Sequence, residues 1–331
     1  MAHIKELNAH ERPPEAVRHR YKEIQKATLS DIDSDHKIID LQALNPDKLP
    51  SDISLAQWMP GLQMIPSLVP PAVQVELLSR LLHRDLSNKE HQTNLHLHYN
   101  ITYPGETEIA PIEGGTSTSS AGNSPEGNGV LSFFEDDPAR VVYPKDPAVH
   151  KPLTVQQMLN KKLRWATLGG QYNWTTKEYP TECPPAFPED VASVLHAAFP
   201  QTEAQAAILN VYSPGDTLSP HRDVSEECDV GLISISFGCD GLFLISHDDG
   251  KGCEIVRLRS GDAVYMDGTS RFAWHAVPKI VPGTCPEWLA DWPLCPVDDA
   301  DTSKYGRWKG WMSGKRVNLN VRQMTVTDTH T

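Results

Sequence analysis

Two periodicities divide the chain. Ahead of about residue 205, apolar side chains recur at helical spacing in separate blocks; beyond it they alternate with polar ones, the pattern of half-buried strands. Pro13-Pro14 followed by Val17, Tyr21 and Ile24 predicts an amphipathic helix, since proline is tolerated where a helix begins. Val75, Leu78, Leu81 and Leu82 mark a second helix over 71–86. A third is expected over 188–199, with Glu189 or Asp190 close to its start. Residues 113–129 are Gly, Ser, Thr and Asn with almost nothing apolar, a composition expected of a disordered loop.

From Ala206 onward, residues 208–212, 231–237, 242–246, 263–266, 272–277 and 317–324 read as short strands, and Asp267-Gly268 as a tight hairpin turn. Many short strands close together imply a sandwich or barrel, not a parallel sheet. The whole is mainly β with flanking helices, in the α+β class.

With 331 residues, 39% of them hydrophobic, the chain can bury one large core with additions, or two modest ones. No apolar run approaches the roughly 18 residues that a membrane span needs. Acidic residues recur from Glu6 to Asp35, which argues against a mitochondrial presequence, and no apolar stretch suits a signal peptide. The six cysteines show no metal-ligand or disulfide-framework spacing, so reduced thiols in the nucleus or cytoplasm are expected. A net charge of −13 repels a phosphate backbone at long range. Any nucleic-acid contact would therefore use local patches, and two stretches lack acids altogether. One is 151–177, with Lys161, Lys162, Arg164 and Lys177; the other is 304–322. Each suits a solvated face as well as a phosphate contact.

Candidate chemistry starts from three His-x-Asp strings. His83 and Asp85 fall in a helical pattern, where residues two apart point in different directions and cannot chelate one ion. His247 lies in an Asp-Asp-Gly-Lys-Gly turn. His221 and Asp223 lie in an extended segment and share one face, as a two-histidine, one-carboxylate metal triad requires. A third ligand must come from a later strand, and His275 is the candidate. Arg316-Val-Asn-Leu-Asn-Val-Arg322 alternates strictly, placing Arg316, Asn318, Asn320 and Arg322 on one face. An edge strand could show that face to water. Two arginines on one strand face also suit a dianion, because guanidinium binds carboxylate through two parallel hydrogen bonds. Asn210 and Tyr212 on the upstream strand offer an amide and a phenol to the same ligand.

Taken in order and spacing, Asn210-x-Tyr212, Pro214-Gly215, His221-x-Asp223, Ser234-x-Ser236-x-Gly238, Ser260-Gly261-Asp262, Met266-x-Gly268, Arg271, His275 and Arg316-x-Asn318-x-x-x-Arg322 resemble the AlkB family of dioxygenases. The match covers roughly 160–325, and the segments Leu163–Gly169 and Tyr172-Asn173-Trp174 are similar to the branch of the first human AlkB homologue. The resemblance implies a double-stranded β-helix (jelly-roll) core over 206–331, with an insertion at 282–314. It also implies an N-terminal helical extension over 1–60, and helices with a nucleotide-recognition lid over 61–205.

By the same resemblance, His221, Asp223 and His275 bind Fe(II). Arg316, Asn210 and Tyr212 hold the distal carboxylate of 2-oxoglutarate, Arg322 contacts the end nearer the metal, and Asn318 braces the site. The implied activity is oxidative demethylation of N-methylated bases in tRNA or DNA, with O2 as co-substrate; hydroxylation of a protein or small molecule on the same core is the alternative. One position departs from the pattern. Relatives often carry an aromatic residue after the glycine matching Gly169, and here it is Gly170. Base stacking then falls to Trp165, Tyr172, Trp174 or Tyr179, aromatics that serve equally well as packing, with Lys161, Lys162 and Arg164 for phosphates.

Overall fold

A computed structural model describes residues 7–41, 59–106, 131–173, 175–179, 183–247, 252–294 and 304–325. The expected disordered loop at 113–129 lies outside the described residues. The chain opens with helices α1 (Glu15–Lys26) and α2 (Leu29–Ser34), then strands β1 (Ile38–Asp40) and β2 (Leu62–Ile65). Helix α3 (Pro71–Ser79) continues through a wider π-type turn to Asp85. A small three-stranded sheet follows, from β3 (Tyr99–Asn100), β4 (Val141–Pro144) and β5 (Leu153–Thr154), then β6 (Trp165–Gly169) and α4 (Glu189–Ala198). The remaining strands are β7 (Ala206–Tyr212), β8 (Leu218–His221), β9 (Leu232–Gly238), β10 (Gly241–Ser246), β11 (Glu254–Leu258), β12 (Ala263–Met266), β13 (Trp274–Ile280) and β14 (Arg316–Arg322).

These strands form two sheets facing each other, as in a jelly roll. One has the order β2-β12-β9-β14-β7-β6 and the other β1-β11-β10-β13-β8. Strict alternation along β14 sorts its side chains. Val317, Leu319 and Val321 join Leu209, Val211, Ile233, Ile235 and Phe237 in a cluster that also takes in Leu77, Leu78 and Leu81 beside α3 and Val191 and Leu195 of α4. The even-numbered Arg316, Asn318 and Asn320 line the space between the sheets. Leu232, Val264 and Met266 from the first sheet pack against Phe243, Ile245, Val256 and Leu258 from the second, and Leu232, Phe243, Leu258 and Met266 also line that space. Helix α1 presents Val17, Tyr21 and Ile24, as its spacing predicts, to Leu242, Leu244, Trp274 and Ala276 of the second sheet.

Two expectations change. Asp267-Gly268 is not a hairpin: β12 belongs to the first sheet and β13 to the second. Both sides of β12 are already occupied, by β2 and β9, so β13 has no edge to pair with and the chain crosses over through a short 3₁₀ turn. The core also recruits β1, β2 and β6 from ahead of residue 206. The Trp-rich insertion covers the outer face of the first sheet, where Trp292, Trp308 and Trp311 each meet Phe134 edge-on.

His83, the decoy of the helical His-x-Asp string, sits in the same aromatic layer between Phe134, Trp292 and Tyr305, with its Nδ1 2.7 Å from Ser132 Oγ. Burial pushes its imidazole down to about 4, so it is neutral in the fold. The unfolded chain, with an ordinary value near 6.5, takes the proton first, so stability falls as pH drops from 6.5 towards 4. In urea unfolding at pH 7 and pH 4.5, His83→Gln should lose about 2 kcal/mol less than wild type between the two. Equal losses would show that His83 is protonated without cost in the fold.

Candidate metal centre and adjoining cavity

His221 closes β8 and His275 is the second residue of β13, and the two strands pair at these positions. The imidazole centroids are 4.3 Å apart. Asp223 follows His221 just beyond the strand end. Its Oδ1 lies 3.7 Å from His221 Nε2 and its Oδ2 3.9 Å from His275 Nε2. One ligand atom from each residue falls within 4.8 Å of the other two, so a single ion can touch all three.

The donor chemistry fits a divalent cation. His221 Nδ1 is 2.9 Å from Ser219 O and His275 Nδ1 is 3.0 Å from Ala273 O. A carbonyl accepts only from N–H, so both protons sit on Nδ1 and both Nε2 lone pairs face the cluster. Burial, with His221 alongside, pushes His275 down to about 4, which keeps it neutral and able to ligate at pH 7. Burial opposes the charge on Asp223, but the Arg322 guanidinium beside it outweighs burial and holds the carboxyl well below its usual range.

Around Asp223 lies a chain of buried charges that the sequence reading did not assemble. Arg322 donates from NH2 to Asp223 Oδ2 at 2.7 Å and from Nε to Glu226 Oε1 at 3.0 Å. Arg271 donates to Glu226 Oε2 at 3.0 Å, to Asp223 O at 2.8 Å and to Val230 O at 2.8 Å. Arg322 is thus committed to the ligating carboxylate. In the sequence, Glu226 reads as one of several acids in the loop after β8, with Glu227 and Asp229; only its distance of three residues from Asp223 hints at more.

At the other end of the inter-sheet space is Arg316, buried, with NH2 donating to Ser236 Oγ at 2.8 Å. Among the described residues its Nε and the Tyr212 hydroxyl are buried with no hydrogen-bond partner, and the two residues sit opposite each other in the β14–β7 register. Burial raises the Tyr212 phenol, so it stays a donor. Leaving such donors dry is costly, and Arg316 lines an open cleft between the sheets, with Tyr212 packed against its lining residues Leu218 and Val277. Asp223 and His275 line it together with Arg316, Asn318 and Asn320. Asn318 donates to Ser234 Oγ and Ile235 O, both at 3.0 Å, bracing the β14–β9 pair. Asn210 faces Asn318 across the β7–β14 ladder but is not among the lining residues.

The expected substrate residues separate into two groups. Tyr172 and Tyr179 meet edge-on with ring centroids 5.2 Å apart, and Tyr172 Oη lies 3.4 Å from Ser225 Oγ, two residues after Asp223. Burial raises both phenols, and Arg322, Glu226 and Asp223 act on each, which places the pair at the metal end. Trp165, Lys161 and Lys162 lie at the opposite end of β6, about 17 Å of extended chain away. Arg164 pairs with Asp216. Lys177 donates to Ala9 O at 2.7 Å, and Arg222, stacked 4.4 Å over Trp274, reaches Glu11 at 2.8 Å, so the segment ahead of α1 rests beside the loop that carries the two tyrosines. Trp174 lies outside the described residues. The second basic stretch divides: Lys304, Arg307 and Lys309 are exposed, whereas Arg316 and Arg322 point inward and Lys315 donates to Asn160 O and Ser213 Oγ, its ammonium lowered by burial to about 8.

Gly170 has a structural cause. A Cβ there would lie 2.9 Å from that of Ala206 and collide with the Met324 sulfur, so Met324 fills the room an aromatic side chain would need.

Residues 135–322 match the family described as the 2OG-Fe(II) oxygenase superfamily. The chain is 51% identical over 279 residues to a Pyricularia oryzae protein named N6-methyladenosine RNA demethylase ALKB1, covering 80% of this chain and 75% of that one. It is 47% identical over 244 residues to the N6-methyladenosine RNA demethylase ALKBH of Cryphonectria parasitica, covering 70% and 99%. With the tRNA demethylase abh1 of Schizosaccharomyces pombe it shares 37% identity over 277 residues, covering 81% and 80%.

Proposed function

The chain belongs to the AlkB family of 2OG-Fe(II) oxygenases, and on that footing we propose that it removes N-methyl groups from adenine in nucleic acid, with RNA, tRNA included, favoured over DNA. The observation that carries the reading is one cleft with a two-histidine, one-carboxylate cluster at one end and, at the other, a buried arginine whose Nε has no partner among the described residues. His221, Asp223 and His275 would hold Fe(II). Arg316 and Tyr212 would hold the distal carboxylate of 2-oxoglutarate. Bound iron and 2-oxoglutarate supply the oxidising equivalents from O2 that the side chains lack.

The protein's own part is positioning and exclusion. Nδ1–H bonds to backbone carbonyls fix both imidazoles, Arg322 orients the carboxylate, and the apolar wall of Leu232, Phe243, Leu258 and Met266 keeps bulk water from the reacting centre. A stacked, paired base cannot bring its methyl carbon to the metal, so the substrate base must be unpaired or flipped out. Tyr172 and Tyr179, beside Asp223, are the aromatic surface it would meet.

The test is mass spectrometry of nucleosides after incubating N6-methyladenosine oligonucleotides, as RNA and as DNA, with the protein, Fe(II) and 2-oxoglutarate. Loss of the methyl mark with formaldehyde and succinate is expected, faster on RNA. Turnover stimulated by a peptide and by no methylated oligonucleotide would make the protein a hydroxylase instead. Lys161 and Lys162 are assigned to phosphates farther along the strand. Lys161→Glu with Lys162→Glu should weaken oligonucleotide binding, lower its salt dependence by roughly 1–2 in log–log slope, and leave turnover without nucleic acid unchanged. Unaltered binding would make those lysines a solvated face.

A further inference from the structure

We propose that Glu226 and Arg271 are positioning residues that hold Asp223 in a one-oxygen, metal-accepting pose; the inference rests on the metal-centre reading above. Four charges alternate without a break: Arg271, Glu226, Arg322, Asp223. Arg271, Glu226 and Arg322 are nearly inaccessible, with side-chain exposures of 1%, 3% and 5%. The set is neutral overall, which is the condition under which buried ions persist.

The geometry gives each member a distinct task. Arg271 stands four residues ahead of His275, yet its guanidinium grips the backbone carbonyls of Asp223 and Val230 and the side chain of Glu226. One planar fork therefore ties the loop that carries the carboxylate ligand to the segment that leads into the second histidine. Glu226 in turn occupies Arg322 Nε, which leaves Arg322 NH2 for Asp223 Oδ2 and prevents a two-pronged grip on that carboxylate. Oδ1 then stays available to a metal. Both Glu226 oxygens are spoken for, so this acid is not presented to a substrate.

Removing the Glu226 charge has two consequences. Arg322 is released to pair with both oxygens of Asp223, and the cluster gains a net positive charge next to a site for a divalent cation. Both lower metal affinity. A merely structural staple would instead lower the melting temperature of the metal-free protein without changing metal affinity.

The experiment is Mn(II) titration followed by electron paramagnetic resonance on the full chain, with Co(II) absorption as a signature of coordination and thermal melts of the metal-free protein alongside. Glu226→Gln is close to isosteric. It should raise the Mn(II) Kd by about 10- to 100-fold, the range for partners that orient metal ligands, and weaken the Co(II) bands. Arg271→Lys keeps the charge but not the fork, and should raise Kd by a smaller factor. A Glu226→Gln protein that binds Mn(II) within twofold of wild type overturns the proposal. Should Glu226→Gln not fold, Arg271→Lys decides by the same twofold criterion. A wild-type protein that binds no Mn(II) overturns the metal reading itself, and this inference with it.

Discussion

Replacing Asp223 with alanine is expected to abolish 2-oxoglutarate turnover, by three orders of magnitude or more, while leaving the protein folded. The carboxylate is the only anion among the three clustered ligands, and each of its oxygens lies within 4 Å of one imidazole Nε2. Without it two neutral imidazoles remain, and Arg322 stands beside them with its charge less compensated, so a divalent cation loses a ligand and meets a repulsive neighbour. The fold should survive because Arg322 keeps Glu226 as a partner and the apolar layers do not involve this residue. A far-UV circular dichroism spectrum like that of wild type, a melting temperature within a few degrees of it, and no succinate formed would bear this out. Full turnover in Asp223→Ala would mean that the ligand set is wrong. Asp223→Asn, which keeps the shape and one oxygen, separates loss of charge from loss of volume.

Much of this site is legible along the chain because its residues lie on strands whose side-chain period is two. Alternation alone puts Arg316, Asn318, Asn320 and Arg322 on one side of β14, and the buried ladder with β7 and β9 turns that side inward. His221 ends β8 and Asp223 lies two residues on, just beyond the strand, with its carboxylate on the side of the His221 imidazole. Partnerships between distant loops are not legible. Glu226 finds Arg271 and Arg322, 45 and 96 residues on, only after the sheets have closed. Nor does charge counting show direction: residues 304–322 are basic in composition, yet Lys315, Arg316 and Arg322 point into the protein. The Asp267-Gly268 turn misleads because the dipeptide signals a reversal locally, whereas whether flanking strands pair depends on which edges are already taken. The edge strands β1 and β2 are short, and β11 carries Glu254 and Arg257 in a five-residue strand, so their hydrophobic signal is diluted by charges whose partners lie elsewhere; Arg257 pairs with Asp33 and Asp240.

Arg316→Ala should raise the KM for 2-oxoglutarate by roughly 30-fold or more, since losing a buried charge-assisted pair costs about 2–5 kcal/mol. The structure says why no neighbour substitutes. Among the described residues Arg316 is the one arginine or lysine lining the cleft and its Nε has no partner, while its contacts with Cys239 O and Leu258 O are long at 3.4 Å. The guanidinium is thus held in place with donor capacity to spare. Arg316→Lys should rescue only part of the loss, because an ammonium cannot reproduce two parallel hydrogen bonds to one carboxylate. Tyr212→Phe removes a single neutral donor and should raise KM by roughly 2- to 10-fold. An independent substitution moves the guanidinium without deleting it. A Cβ on Gly241 would lie 2.5 Å from Arg316 Nε and 2.7 Å from Cζ, so Gly241→Ala must push the arginine out of its seat. A KM raised in both Arg316→Ala and Gly241→Ala, with metal affinity unchanged, ties the co-substrate to the position of this one side chain and not merely to its charge. An unchanged KM in Arg316→Ala would place the dicarboxylate elsewhere and leave the unpartnered donors of Arg316 and Tyr212 without a ligand.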